Sequence, residues 1–310
     1  MHSSSDAAEP LLPPRCLAPG AHIRVIAPSS PFDAAAFEAG VARLRARYEV
    51  SFDDGVLARS GYFAGDDARR LGELRAALAD PGVAAIVAAR GGYGAGRLLA
   101  RLDVEEVRAA RKLLVGFSDI TALHALWAQA GLRSLHATMV CGLGRETHDD
   151  AQRARWMRAA EGEIPGRIES LRTLTPSRVA TTGRLLGGNL AVLASLVGTP
   201  HLPSVDGAVL FLEDVGERPY RLDRMVTQLR LAGLLDRIAG VVLGTFTDAA
   251  PGKDGVTAED AITSCLAGLD VPVLAGLPAG HIDDNLELPF GARVALDPDA
   301  GTLTFLEGIA

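Results

Sequence analysis

Four short stretches of this chain carry residue types that could do hydrolytic chemistry. In "LLVGFSDITALH" (113–124) an apolar run meets Gly116-Phe117-Ser118-Asp119, and a helical pattern begins at once. Ser118 has two readings there. As a helix cap, its hydroxyl accepts a bond from an orphan backbone N–H. As a nucleophile, it stands on a sharp strand-to-helix turn, with a helix N-terminus beneath it to stabilise an oxyanion. The strict G-x-S-x-G elbow is not met, because Ile120 occupies the place of the second glycine. In "ARGGYGAGR" (89–97), Gly91 and Gly92 follow an apolar strand. They could let the backbone approach a ligand or supply an oxyanion N–H, and a plain tight turn also fits. The dinucleotide fingerprint fails at Leu99, and the only Gly-Lys, at 252–253, precedes Asp254, so no phosphate-binding loop is present.

In "FLEDVGERPYR" (211–221) an apolar run ends in Glu213 and Asp214, with Glu217 close by. Acids at the carboxyl end of a strand lie where α/β sheets bind ligands, although Asp214 and Glu217 also suit the first turn of the next helix. The fourth stretch, "GLPAGHIDDNLELPFG" (276–291), holds His281 in a loop between two strands, where a lone histidine is otherwise ordinary surface. Taken together, Ser118, Glu213 and His281 supply a nucleophile, an acid and a base, each at a strand end. The imidazole would take the hydroxyl proton, the carboxylate would fix its tautomer, and backbone N–H groups would hold the oxyanion. His124 and His136 compete for the base. His124 falls within the helix after Ser118, packed toward the sheet, and ranks below His281.

The elements that must position these groups alternate from Ile23 onward. "IRVIAPSS" (23–30) reads as a buried strand, 33–48 as a helix capped by Asp33, "EVSFD" (49–53) as a strand and 66–80 as an amphipathic helix. "VAAIVAAR" (83–90) and "RKLLVGF" (111–117) are continuous apolar runs suited to parallel strands covered on both faces, and the helix at 120–131 closes at Gly131. The pattern lapses over 158–178 into Gly, Pro and charge, which reads as an interdomain linker. Beyond it come "RVATTGRLL", a helix at 189–198, a strand at 208–214, a helix at 220–238, the strand "GVVLGTF" and the helix "AEDAITSCLAGL". "VPVLAG", "ARVALD" and "TLTFLE" finish the chain as short strands. This alternation predicts an α/β protein: a parallel-sheet domain with helices on both faces, then a second α/β domain.

Composition excludes several classes. In 310 residues, 48% are hydrophobic and 22% charged, which suits a globular chain. A net charge of −7 with no basic run argues against a nucleic-acid partner. Cys16, Cys141 and Cys265 are too few and too scattered for a disulfide framework or a C-x-x-C metal site. Residues 1–20 lack the layout of a signal peptide and read as a floppy leader, and no apolar run approaches the ~20 residues of a membrane helix. A reducing, cytoplasmic setting is expected.

At this point the sequence resembles the LD-carboxypeptidases, the muramoyltetrapeptide carboxypeptidase family. The resemblance runs through "IRVIAPSSP", "GYFAGDDARRLGELRAALADPGVAAIVAARGGYGAGRLL", "LLVGFSDITALH", "GGNLAVLASLVGTP", "LFLEDVGERPYRLDRM" and "AGHIDDNLELPFG", in the family's order. It implies Ser118 of G-[FY]-S-D as nucleophile, Glu213 of L-E-D-x-G-E as the acid and His281 of the late G-H as the base. The family's oxyanion donors map to the backbone N–H groups of Gly92 and Asp119. It further implies domains over 21–160 and 178–310, a site in the cleft between them, and hydrolysis without metal or cofactor. The bond cut would join the L-centre of diaminopimelate or lysine to a terminal D-Ala. The substrates would be cytoplasmic murein tetrapeptides, free or in muramoyl- or UDP-linked form. Dimers are common in the family. Arg90, Arg218 and Arg221, next to motif residues, are the candidates for holding substrate carboxylates.

One departure is visible: His136-Ala137-Thr138-Met139 stands where many members have His-Gly-Pro-Met, which bears on substrate preference. A neighbouring function in the same clan is the microcin C immunity type, which cleaves acyl-sulfamoyl or phosphoramidate nucleotides with an added aromatic loop. With two Trp, four Tyr and nine Phe, and no Trp after Trp156, little is available here for such a loop. A non-catalytic peptide- or nucleotide-binding module is the reading from another class. The failed fingerprint and the Ser-Glu-His set count against it.

Overall fold

The computed structural model describes residues 11–310. Two sheets organise them. The first is built from β1 (His22–Ile26), β2 (Glu49–Ser51), β3 (Val83–Ala88), β4 (Leu113–Gly116) and β5 (Ser134–His136), all parallel, interleaved with α1 (Ala34–Arg45), α2 (Asp67–Ala79), α3 (Val104–Ala110) and α4 (Thr121–Gln129). Asp33, Asp66 and Asp103 each accept a backbone N–H at a helix start, as capping carboxylates do. Successive residues of these strands face opposite ways, so Val25, Val87 and Val115 pack with α1 while Ile26, Ile86 and Leu114 pack with α2, α3 and α4. Burial on both faces explains why the strands read as unbroken apolar runs.

After the short α5 (Val140–Leu143) and α6 (Asp150–Ala160), residues 158–178 depart from the expected linker. They contribute β6 (Arg167–Ile168) and β7 (Arg172–Thr173), which close the two ends of the second sheet. Its parallel centre is β8 (Thr181–Asn189), β9 (Val209–Val215), β10 (Gly240–Thr247) and β11 (Val273–Ala275). The helices α7 (Leu190–Leu196), α8 (Pro219–Leu231) and α9 (Ala258–Leu266) cover one face of this sheet. The helix expected over 220–238 stops early, at Leu231, with Gly233 at φ 71° beyond it. Then β12 (Leu288–Phe290) crosses to the first sheet and pairs antiparallel with β5. The last strands, β13 (Arg293–Asp297) and β14 (Thr302–Phe305), return to the second.

The expected floppy leader is corrected over its described half. Leu11 and Leu17 are buried, Leu12 bridges Leu132, and the Leu17 N–H bonds the Ala160 carbonyl. The cause is apolar side chains finding a core, Leu11 beside Leu186, Leu190 and Leu210 and Leu17 beside Trp156 and Ala160. The first half of that leader, residues 1–10, lies outside the described residues. Among the described residues no helix is long and apolar enough to cross a membrane.

Candidate active site

The carboxyl ends of the strands of both sheets face a cleft of about 980 Å³. β4 ends at Gly116, and the chain turns through a single 3-10 turn, Ser118–Ile120, straight into α4. Ser118 sits on that turn with φ 64°, a left-handed conformation that is rare for a residue with a side chain. Neither the turn nor α4 has a side-chain cap, so the hydroxyl is not spent on the helix. Instead Ser118 Oγ lies 3.0 Å from Nε2 of His281. On the other side of the ring, Nδ1 lies 2.7 Å from Oε2 of Glu213. A proton on Nδ1 donates to that carboxylate and leaves Nε2 to accept from the Ser118 hydroxyl.

Each partner is held by local structure. Glu213 lies in β9, fully buried, while the His281 side chain keeps 19% exposure toward the cleft. Gly280 has φ 125°, and a Cβ there would come within 2.9 Å of Glu213 Oε2 and 2.7 Å of Thr245 Oγ1. Glycine is therefore needed where the loop passes over the acid. The glycine-rich loop after β3 comes equally close to the serine. A Cβ on Gly91 would lie 2.9 Å from Ser118 Cβ, and Gly92, at φ 106°, is pressed against Ser30. The Asp119 N–H is an orphan donor at the start of the 3-10 turn. Among the described residues neither it nor the Gly92 N–H has a backbone partner.

Two positioning groups escaped the sequence reading. The buried Asp119 carboxylate accepts from Ser29 Oγ at 2.6 Å and from the Ala95 N–H at 2.8 Å, tying the loops after β1 and β3 to the serine turn. Burial pushes its pKa up, against those donors. Ser30 Oγ in turn accepts the Tyr93 N–H at 3.0 Å. Their signal was the polar "SS" ending strand "IRVIAPSS", but nothing local says what it bonds.

The two competing histidines lie elsewhere. His124 is buried with both ring nitrogens engaged, by Ser134 Oγ at 2.7 Å and the Gly116 carbonyl at 2.8 Å. Burial lowers its pKa to about 4. His136 is fully buried among Phe117, Phe211 and Phe290, and burial holds its pKa well below the usual range. Asp214 accepts from Asn189 Nδ2 and the Ala191 N–H, so it secures the start of α7, not of α8.

Of the arginines, Arg90 lines the cleft and donates to the Pro31 carbonyl. Arg221 pairs with Glu217 at 3.4 Å and lies against the Tyr220 ring, and neither Arg218 nor Arg221 lines the cleft. Arg145, not singled out in the sequence, does line it. Both Arg90 and Arg145 act on the Cys141 thiol in the cleft wall, whose pKa burial nonetheless raises to about 12. Asp33, also in the wall, acts on the same thiol with the opposite sign, so cations and a carboxylate share that part of the cleft. Thr138 and Met139, from the departing 136–139 segment, are also in its wall.

Comparison with known proteins places the chain. Residues 23–137 match the LD-carboxypeptidase N-terminal domain, and residues 182–296 the LD-carboxypeptidase C-terminal domain. The murein tetrapeptide carboxypeptidase of Pseudomonas aeruginosa is 33% identical over 89% of this chain and 92% of its own. The crystal structure of muramoyltetrapeptide carboxypeptidase from Oxalobacter formigenes superposes with a TM-score of 0.80 at 30% identity, covering 91% of this chain and 97% of that one. The microcin C7 self-immunity protein of Escherichia coli is 25% identical over 79% of this chain and 80% of its own. Its complex with aspartyl sulfamoyl adenosine superposes with a TM-score of 0.85 at 22% identity, covering 95% and 98%, a likeness of fold alone.

Proposed function

Since the chain belongs to the LD-carboxypeptidase family, we propose that it is a serine carboxypeptidase removing the terminal D-Ala from murein tetrapeptides in the cytoplasm. The observation that carries the reading is the hydrogen-bonded run from Ser118 through His281 to the buried Glu213. In this mechanism Ser118 Oγ attacks the carbonyl on the L-centre as His281 Nε2 takes its proton. Glu213 keeps the imidazole in the required tautomer and offsets its charge. The backbone N–H groups of Gly92 and Asp119 hold the oxyanion. His281 then protonates the leaving D-Ala amine, and a water activated by the same imidazole releases the peptide acid. Nothing in these steps calls for a metal.

We take the unit carrying Ser118 as residues 21–160 and the unit carrying Glu213 and His281 as 178–310. For the substrate's free carboxylate we assign Arg90 together with Arg145, in place of Arg218 and Arg221, because only the first two border the cleft. The test is to incubate the protein with UDP-muramoyl-tetrapeptide and to measure D-Ala release, with an aminoacyl-sulfamoyl adenosine in parallel. D-Ala release with the nucleotide left intact supports the reading. Cleavage of the nucleotide analogue alone would replace it with the immunity-type activity.

A further inference from the structure

His281 and Ser118 come from different sheets, so their 3.0 Å contact needs something to bring the His281 loop across. After β11 that loop runs on to β12, which joins the first sheet beside β5. Between His281 and β12 the loop is met repeatedly from the first-sheet side. Arg155, on α6, donates from Nε to Glu287 Oε2 at 2.7 Å and from Nη2 to Asp284 Oδ1 at 2.6 Å. Its Nη2 also reaches the Asn285 carbonyl at 3.4 Å. Asn285 carries the grip inward, its Oδ1 accepting the N–H of Gly280, the residue before His281, at 2.8 Å.

We propose that Arg155 is a positioning residue for His281: its forked guanidinium clamps residues 284–287 to α6 and so holds the imidazole within reach of Ser118. The contact with Glu287, though not that with the 62% exposed Asp284, is unlike the surface pair that Arg153 makes with Asp150 on the same helix. There the carboxylate is 94% exposed, whereas Glu287 is 1% exposed. A carboxylate so deeply buried needs a compensating partner, while an exposed pair contributes little. Burial pushes the Glu287 pKa up, and Arg155 works against that rise. The two donors of the fork engage residues 284 and 287 at once, which a single ammonium cannot reproduce. Asp283, adjacent to the clamp, receives the Thr147 hydroxyl at 3.4 Å.

This inference rests on Ser118 acting as the nucleophile, so the readout is labelling of Ser118 by a fluorophosphonate. Serine Oγ bonds to phosphorus, fluoride leaves and His281 takes the proton, with no murein substrate involved. Because a misplacement of ~1 Å costs ~10²-fold, Arg155→Met and Arg155→Met/Glu287→Leu should label roughly 10- to 100-fold more slowly. In tetrapeptide turnover the loss should fall on kcat, with KM within about twofold of wild type. The double variant, which strands no charge at position 287, should melt near wild type. Arg155→Lys should recover part of the rate. Wild-type labelling by either folded Met variant would overturn the clamp, as would a loss confined to KM. Should both Met variants fail to fold, Arg155→Lys decides: slower labelling supports the clamp and an unchanged rate overturns it. A wild-type protein that labels but releases no D-Ala removes the murein reading and leaves the clamp standing. One that does not label removes the nucleophile and the clamp together.

Discussion

Ser118 holds a conformation that a side chain normally avoids, with φ at 64°, and the left-handed region costs an L-residue roughly 1–2 kcal/mol. That strain aims Oγ at His281 instead of down onto the helix. Ser118→Ala should therefore fold normally and lose turnover, since its hydroxyl caps nothing. Ser118→Gly should be equally inactive yet melt higher than Ser118→Ala, by up to about 1 kcal/mol, because glycine accepts the same φ freely. Turnover by a folded Ser118→Ala protein would refute the nucleophile. Its two partners should differ in severity. His281→Ala removes the base and should match the serine loss, because members of one catalytic unit are not additive. Glu213→Gln keeps the shape but offers the ring an amide in place of a carboxylate, so a measurable residue of kcat should survive. Were Glu213→Gln fully active, the 2.7 Å contact would have no catalytic meaning.

The loop after β3 shows how an element turns such residues into a site. Gly92→Ala would force a side chain onto φ 106° and toward Ser30, with Cβ 2.5 Å from its Oγ. The loop must then move, carrying the Gly92 N–H off the oxyanion, and removing one such donor typically costs ~10²–10³ in kcat. We expect that loss with little change in KM, and steady-state kinetics on the tetrapeptide reads it directly. The sequence made this loop visible because Gly91 and Gly92 follow an apolar run, and it made Ser118 and Glu213 visible for the same reason, whereas His281 showed only as a histidine in a loop between two strands. Elements whose evidence is a distant pairing stayed hidden. β5 and β12 are three residues each and exist only by pairing with each other and with β4. β6 and β7 are two residues each, within a stretch whose Gly, Pro and charge describe a linker equally well. Arg145 and the Asp119 carboxylate were missed likewise, since their roles depend on what stands across a cleft or a loop.

At the scale of the whole molecule, buried titrating groups set the stability and the cleft sets the choice of substrate. The folded pKa of His124, about 4, lies below the ordinary 6.5, so the unfolded chain takes up that proton first. Stability is then full above about pH 6.5 and lost as pH falls toward 4, by up to ~3 kcal/mol. His136 shifts the same way, whereas Glu73, raised to about 7 by burial, contributes below 4.5 and loses that contribution as pH rises through 7. Melts of His124→Gln between pH 7 and 4 should show a shallower acid slope than wild type, and an equal slope would remove this account. The substrate prediction follows from where the cations stand. The free carboxylate of a tetrapeptide lies one residue beyond the scissile carbonyl, and Arg90 directly precedes Gly91, where a Cβ would come within 2.9 Å of Ser118 Cβ. In the proposed binding mode Arg90 and Arg145, both in the cleft wall, pair with a carboxylate one residue beyond the scissile bond, and a pentapeptide would carry its carboxylate past them. Tetrapeptide should therefore be cut and pentapeptide spared, and a C-terminally amidated tetrapeptide should suffer mainly in KM. Arg145→Ala should raise KM for the acid about tenfold, the loss of one charge-assisted contact of ~1.5 kcal/mol, and leave the amide's KM almost unchanged. Equal KM changes for acid and amide would show that Arg145 reads some other part of the peptide, and equal rates on tetrapeptide and pentapeptide would show that the cleft does not measure length at all.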